Sequence, residues 1–444
     1  MNENALIEKA LSTATDTKEF RVGAGAVRET AEVFTRNFPG ATALVVADET
    51  TWKVCGARVT ACLAEAGVKC AAPFVLPAVP RPVATYENMC AVRDAIAAAG
   101  ADIRAVAVGS GTINDLCKRG SEELHRPYMC VATAASVDGY ASFGAPITKD
   151  GFKVTWPCAA PQAIVADADV LVSAPPELAA SGYADLAAKI ASGADWILAD
   201  AVGADPIRDD VWATTQTPLR GWLADPAGLA AGDITAMNNL FTGLAMTGFA
   251  MQTTHTSRPA SGAEHLFSHH WEMTDVKRAD GSHPSHGEKV GIGTLMSTRL
   301  HEMFFATPFT RDQIDAAVAA HPTWEKREAF IRQVMRGGRV ADEAIALSKQ
   351  KFLGEADLRA RLGIIADRFD ELARRVKAQL IPSAELKAML KTAGCPVEPE
   401  GIGATRQDVL MATFGAQMIR NRYTILDLVF ETGRLPAYAA ELAK

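Results

Sequence analysis

No run of about 18 or more uninterrupted apolar residues occurs in this 444-residue chain, so a membrane-spanning helix is not expected. The first residues, MNENALIEKALSTATDT, lack a basic segment followed by an apolar one, so no secretory signal is expected. Basic residues do not dominate either. There are 45 Lys and Arg against 52 Asp and Glu, a net charge of −7, which argues against nucleic acid or an anionic membrane as the main partner. Cysteine occurs eight times but never as CxxC, and seven of the eight fall in the first 158 residues, mostly inside apolar or helical runs. That pattern speaks for reduced thiols and a cytoplasmic protein, and against a disulfide frame or a zinc knuckle. Internal repeats and low-complexity tracts are absent, apart from general alanine enrichment.

What is present is length and alternation. A chain of 444 residues exceeds a single compact core, so two domains are expected. Up to about residue 174, short apolar runs such as ATALVVA and AVAV alternate with helical patterns at the spacing of a parallel, doubly wound sheet. Residues 152–172 read as a crossing that contains one short extended segment. From Pro176 onward the chain is rich in Ala and Leu, with helical periodicity and almost no β-branched runs. The expected architecture is therefore a Rossmann-like α/β nucleotide-binding domain over residues 1–174, followed by an all-α domain over residues 175–444. ELAASGYADLAAKIASGADWILAD reads as a pair of helices, with Asp185 near a helix start. A helical second domain of this kind is compatible with a homodimer.

Two features carry chemistry. The first is Gly109-Ser110-Gly111 directly after an apolar strand, with Thr112 read as the cap of the following helix. Glycines there allow close backbone approach, and the unpaired first-turn N–H groups and helix dipole attract a pyrophosphate. The third glycine of the dinucleotide fingerprint is missing, because Asn114 stands in its place. Asp48, at the end of an earlier strand, is placed either to meet an adenosine ribose or to cap the next helix. The second feature is histidine clustering: six of nine lie between His255 and His286. Imidazoles with a carboxylate suit a divalent metal that keeps open coordination positions. His265 and His269 stand i, i+4 on a helical pattern, but the cluster alone does not say which histidines bind.

Five blocks decide more: GSGTIND from Gly109, TAASVDGYAS from Thr133, GYADLAAK from Gly182, SGAEHLFSH from Ser261 and HGEKVGIG from His286. In these the chain resembles the glycerol-1-phosphate dehydrogenases, a branch of the iron-containing alcohol dehydrogenase and dehydroquinate synthase-like superfamily. The resemblance covers Phe20 to about Thr298 and is looser in RNRYTILDL from Arg420. It implies a metal held by Asp185, His265 and His286; His283, His255 and His270 remain as alternatives from the cluster itself. It implies NAD(H) or NADP(H) at Gly109, Ser110, Gly111, Asp115, Thr133, Ser136 and Ser142, to which Asp48 is added from its place at the strand end. It implies Asp138 and His269 at the substrate.

The metal implied is zinc, with nickel or iron as alternatives. The implied activity interconverts dihydroxyacetone phosphate and sn-glycerol 1-phosphate, a small phosphorylated substrate. A polyol or glycerol dehydrogenase, or a dehydroquinate synthase-type lyase, stands as the alternative. Lys153, Arg258 and Lys289 are candidate cations for the phosphate. Arg420, Tyr423 and Asp427 fall on one helical face, where structural salt bridging is expected.

Overall fold

The computed structural model describes residues 3–149 and 152–444, without the side chains of residues 152 and 153. The chain forms two compact units, one of Met1–Leu186 with Ala213–Ser257 and the other of Ala187–Trp212 with Arg258–Lys444.

The first unit is built on a six-stranded sheet. Its strands are β1 (Glu19–Gly23), β2 (Thr42–Asp48), β3 (Phe74–Leu76), β4 (Ile103–Gly109), β5 (Met129–Ala132) and β8 (Ala163–Asp167). They are ordered β1-β8-β5-β4-β2-β3, every neighbouring pair parallel. β4, β5 and β8 are apolar and almost wholly buried, as strands covered on both faces must be. A separate antiparallel hairpin pairs β6 (Ala145–Lys149) with β7 (Phe152–Trp156). Residues 152–172 thus hold two strands where one short extended segment was expected. β8 enters the interior of the sheet because AIVAD is a fully buried apolar run ending in Asp167, which caps the next turn.

The chain leaves β2 for the edge strand β3, whereas it leaves β4 in the other direction, for β5. The order reverses between these two neighbours, so the crevice outside their carboxyl ends is where an open α/β sheet accepts a ligand. Asp48 ends β2 and Gly109 ends β4. Helix α1 (Gly111–Glu123) follows β4 at once.

After β8 the described chain is helical. Helix α2 (Pro176–Ala201) is one continuous 26-residue helix where two were expected. Gly182 within it allows close approach to the loop after β5. A Cβ on Gly182 would lie 1.9 Å from the Ala135 carbonyl oxygen. Asp185 therefore sits well inside a helix, and the reading of it as a first-turn carboxylate does not hold. Helix α3 (Ile234–Thr254) is buried along most of its length in the first unit. There Phe20 stacks on Phe241 and meets Phe249 edge-on.

The second unit contains helices α4 (Ala263–Met273), α5 (His286–Phe305) and α6 (Arg406–Met418). Asp195, fully buried, accepts hydrogen bonds from Ala263 N and Ile425 N at 2.7 Å each, and its carboxylate meets His301 Nε2 at 3.1 Å. One carboxylate thereby fixes the start of α4 to two other segments. Gly293 lets α5 close on α4, since a Cβ there would stand 2.3 Å from the Glu264 carbonyl oxygen. No helix among the described residues is long and apolar enough to cross a membrane.

Candidate metal and nucleotide site

Asp185 of α2, His265 of α4 and His286 of α5 each offer a ligand atom, and the three atoms lie within 4.8 Å of one another. No other group of this kind forms among the described residues. His265 and His269 share a face of α4, as i, i+4 spacing requires, and their ring centroids are 6.3 Å apart. His286 is the first residue of α5, presented there by a capping box between Ser285 and Glu288. Its ring centroid is 5.4 Å from that of His265 and 6.2 Å from that of His269.

Each of these imidazoles has a carboxylate at Nδ1. Glu264 Oε1 lies 2.9 Å from His265 Nδ1. Glu272 is shared: its oxygens lie 3.4 Å from His269 Nδ1, 3.4 Å from His286 Nδ1 and 3.1 Å from Lys289 Nζ. Desolvation, the largest effect, pushes His269 down to about 4 against the opposing pull of Glu272, with His286 and Arg420 adding to the fall. The His269 imidazole is therefore neutral near pH 7. One carboxylate and two imidazoles, each imidazole with a carboxylate at Nδ1, bring three donor atoms close enough to share one ion. The donor set fits a borderline divalent metal.

The remaining histidines of the cluster stand apart. His255 ends α3 in a left-handed turn, and His283 is exposed beside Asp275 at 3.7 Å. His270 is buried against Gly415 of α6. These three alternatives do not join Asp185.

Asp185 is tied to the second sequence block directly, because Asp138 N donates to Asp185 Oδ2 at 2.9 Å. Ser181, one turn earlier in α2, donates to the Ser136 carbonyl at 3.2 Å. The loop after β5 is thus laid along α2. Thr133 N donates to the Gly109 carbonyl at 3.1 Å, so this loop and the glycine turn are joined at their roots. Ser142 Oγ and Ser136 Oγ lie within the same loop, 3.4 Å from the Gly139 carbonyl and the Tyr140 hydroxyl respectively.

The cap of α1 is Ser110, with no side-chain bond to the helix, and the helix begins at Gly111; Thr112, read as the cap, is already helical. Gly109 is required where it stands, since a Cβ would meet the Ile113 side chain at 2.5 Å. Asn114, in place of a third glycine, is buried, with Oδ1 accepting from the Tyr128 hydroxyl at 3.0 Å. Asp48 caps the helix after β2, accepting from Thr50 N and Thr51 N at 2.8 Å each through Oδ1. Asp115 lies 3.8 Å from Lys118 Nζ.

Lys118 was not anticipated. It is almost wholly buried and donates to the carbonyls of Gly139, Ser142 and Gly144 at 2.8, 2.9 and 3.1 Å, pinning the loop to α1. Its only sequence signal is a lysine inside an otherwise buried helical stretch. Among the expected cations, Arg258 is buried and held by the Asp195 and Tyr423 carbonyls and by Asp205, so it staples the second unit together. Lys289 is taken by Glu272, and the side chain of Lys153 lies outside the described residues.

The expected face of Arg420, Tyr423 and Asp427 is not a single helix. α6 ends at Met418 and a new helix starts at Ile425. Asp427 and Tyr423 are buried and paired with Lys351 and Glu431. Arg420 is exposed and makes no hydrogen bond or ion pair among the described residues.

A family model described as iron-containing alcohol dehydrogenase matches residues 21–175. The fold agrees over nearly the whole chain. A probable glycerol dehydrogenase from Sinorhizobium meliloti superposes with a TM-score of 0.59 at 14% identity, covering 96% of this chain and 99% of that one. An iron-containing alcohol dehydrogenase from Thermococcus thioreducens superposes at 0.56 and 17%, covering 96% and 98%. The fold is that of the iron-containing alcohol dehydrogenases.

Among curated relatives, glycerol-1-phosphate dehydrogenase [NAD(P)+] of Geobacillus thermodenitrificans is 31% identical over 323 residues, 72% of this chain and 70% of that protein. The protein of the same name from Halalkalibacterium halodurans is 38% identical over 197 residues. That alignment spans 44% of this chain and about half, 49%, of the relative's length. The chain belongs to the glycerol-1-phosphate dehydrogenase family.

Proposed function

We propose that this protein is a metal-dependent NAD(P)H oxidoreductase interconverting dihydroxyacetone phosphate and sn-glycerol 1-phosphate. The observation that carries the reading is the convergence of Asp185, His265 and His286 from three separate helices. These three would hold one divalent ion, zinc before nickel or iron. When bound, the ion supplies Lewis-acid polarisation of the substrate oxygen, and the nicotinamide supplies or accepts hydride.

The chain's own residues do the rest. Gly109, Ser110 and Gly111 at the start of α1 bind the pyrophosphate through backbone N–H groups. Asp48, although its Oδ1 caps the following helix, stands at the strand end to meet the ribose, and Asp115, Thr133, Ser136 and Ser142 surround the cofactor. Residues 1–174 thus serve the nucleotide, with Asp138 alone reaching the substrate, and residues 175–444 serve metal and substrate. Asp138 orients the substrate from beside Asp185, its N–H already committed there. His269, neutral and backed by Glu272, holds or releases the substrate's hydroxyl proton at Nε2.

The phosphate calls for a cation, and Arg420 is the one we assign. It is exposed, makes no hydrogen bond or ion pair among the described residues, and its charge bears on His269 as that of Glu343 bears on it. The backbone around it runs beside α4, since Arg422 donates to the Ser261 carbonyl at 2.5 Å. An unphosphorylated polyol would leave that guanidinium without a role. All eight cysteines are free, in keeping with a reducing, cytoplasmic setting.

The test follows NADH absorbance with dihydroxyacetone phosphate on zinc-reconstituted protein, beside Asp185→Ala. Oxidation of NADH by the wild type and its loss in the variant are expected, with chiral analysis giving the 1-phosphate. Turnover of glycerol but not of the phosphorylated triose would overturn the substrate assignment.

A further inference from the structure

Glu264 lies in the first turn of α4 and is fully buried. Residues i and i+1 of a helix do not normally face each other. Here the side chain folds back to the helix start instead of following the helix outward. Its Oε1 accepts from Gly262 N at 2.6 Å and lies 2.9 Å from His265 Nδ1. Glycine at 262 makes the arrangement sterically feasible. A Cβ there would stand 2.5 Å from Asp195 Oδ2 and 2.9 Å from Glu264 Oε2. The two carboxylates divide the unpaired N–H groups of the helix start, Asp195 taking Ala263 N and Glu264 taking Gly262 N.

A buried carboxylate is costly unless charge and hydrogen bonds offset it. Arg258, buried, and Arg422, half-buried in the same unit, lie within electrostatic reach of Glu264, while its Oε2 has no hydrogen-bond partner among the described residues. For capping alone, a smaller neutral Ser or Asn would serve and carry no such cost. What Ser or Asn would not supply is an anionic acceptor at His265 Nδ1. A carboxylate on that nitrogen keeps the proton there, leaves the Nε2 lone pair for the ion and raises the ring's basicity.

We infer that Glu264 is the positioning residue for metal capture, fixing His265 in the Nδ1–H tautomer with Nε2 turned toward Asp185 and His286. Glu272 plays a looser part at His286, at 3.4 Å and shared with His269 and Lys289, so the tighter hold is on His265. The inference rests on the metal reading proposed above, and the experiment separates the two.

Zinc affinity is measured by competition with a fluorescent chelator for wild type, Glu264→Gln and Asp185→Ala. In parallel, the ring tautomers of ¹⁵N-histidine-labelled apo wild type are read by NMR, with the His265 signals assigned by their loss in His265→Asn. Glu264→Gln keeps the shape and the Gly262 bond but removes the charge. It is expected to weaken zinc binding about 10- to 100-fold, and His265 of the wild type is expected as the Nδ1–H form. Unchanged affinity in a folded Glu264→Gln protein, or a wild-type Nε2–H tautomer, overturns the inference. If Glu264→Gln does not fold, the wild-type tautomer alone decides. If wild type binds zinc no better than Asp185→Ala, the metal reading itself fails and the role of Glu264 falls with it.

Discussion

Replacing Gly182 by alanine sets two effects of opposite sign against each other. Within an exposed helix, Gly→Ala stabilises by about 1 kcal/mol, because glycine loses the most backbone freedom on folding. At Gly182 of α2 the new Cβ would lie 1.9 Å from the Ala135 carbonyl oxygen, 2.8 Å from its carbon and 3.2 Å from Leu244 Cδ1. Ordinary contact distances require a displacement of about 1.5 Å, and a backbone carbonyl cannot rotate away as a side chain can. Overpacking of this kind costs about 1–3 kcal/mol or more, so the balance falls on destabilisation.

The displacement also falls on the site. The same stretch of α2 carries the Ser181 bond to the Ser136 carbonyl and the Asp185 carboxylate that accepts from Asp138 N. Urea unfolding of the apo protein should shift to a lower midpoint, and NADH titration by fluorescence should show weaker binding through the moved loop. A reacting geometry displaced by an ångström loses on the order of 100-fold in rate. If Gly182→Ala instead raises the urea midpoint and leaves NADH affinity unchanged, helix propensity has won and the close approach of α2 to the loop is not as described.

Arg420→Gln should raise KM for dihydroxyacetone phosphate by about 10- to 100-fold, the worth of a charge-assisted contact of about 1.5–3 kcal/mol, with a much smaller change in kcat. Equal losses in kcat and KM would place Arg420 elsewhere in the reaction. Glu431 gives a pH prediction. Burial, the largest effect, holds its carboxyl up at about 7 against the pull of Arg361, with Asp427 adding to the rise and Tyr423 beside it. A carboxyl raised in the folded state favours folding below its unfolded value near 4.5 and loses that contribution as pH rises through about 7. The stability difference between wild type and Glu431→Gln should therefore move against the wild type between pH 4.5 and 7. A difference independent of pH over that range would refute the shift.

The sheet was legible because fully buried parallel strands announce themselves as apolar runs, and β8 escaped only by being five residues long between an extended segment and a short helix. That Asp185, His265 and His286 would come together was legible through the block resemblance and not through spacing, since eighty residues separate Asp185 from His265. Helix α2 does not show its continuity in the sequence, because its glycines weaken a helical pattern, whereas Gly182 is where the helix must press closest. Lys118 and Glu264 were invisible for a related reason. Patterns assign charged side chains to solvent, and both turn inward to satisfy backbone or imidazole groups that the pattern does not represent.

Arg420 shows the converse error. Its three- and four-residue spacing to Tyr423 and Asp427 suggested one helix, yet Thr424 with Asp427 is a capping box, T-x-x-D, that marks a new helix start. Given its due weight, that signal would have freed Arg420 from the helix and left a guanidinium with no ion pair among the described residues. The places where local pattern fails at Gly182, Lys118 and Glu264 are also those that hold the loop and the imidazole of the candidate site, as expected where function overrides local preference.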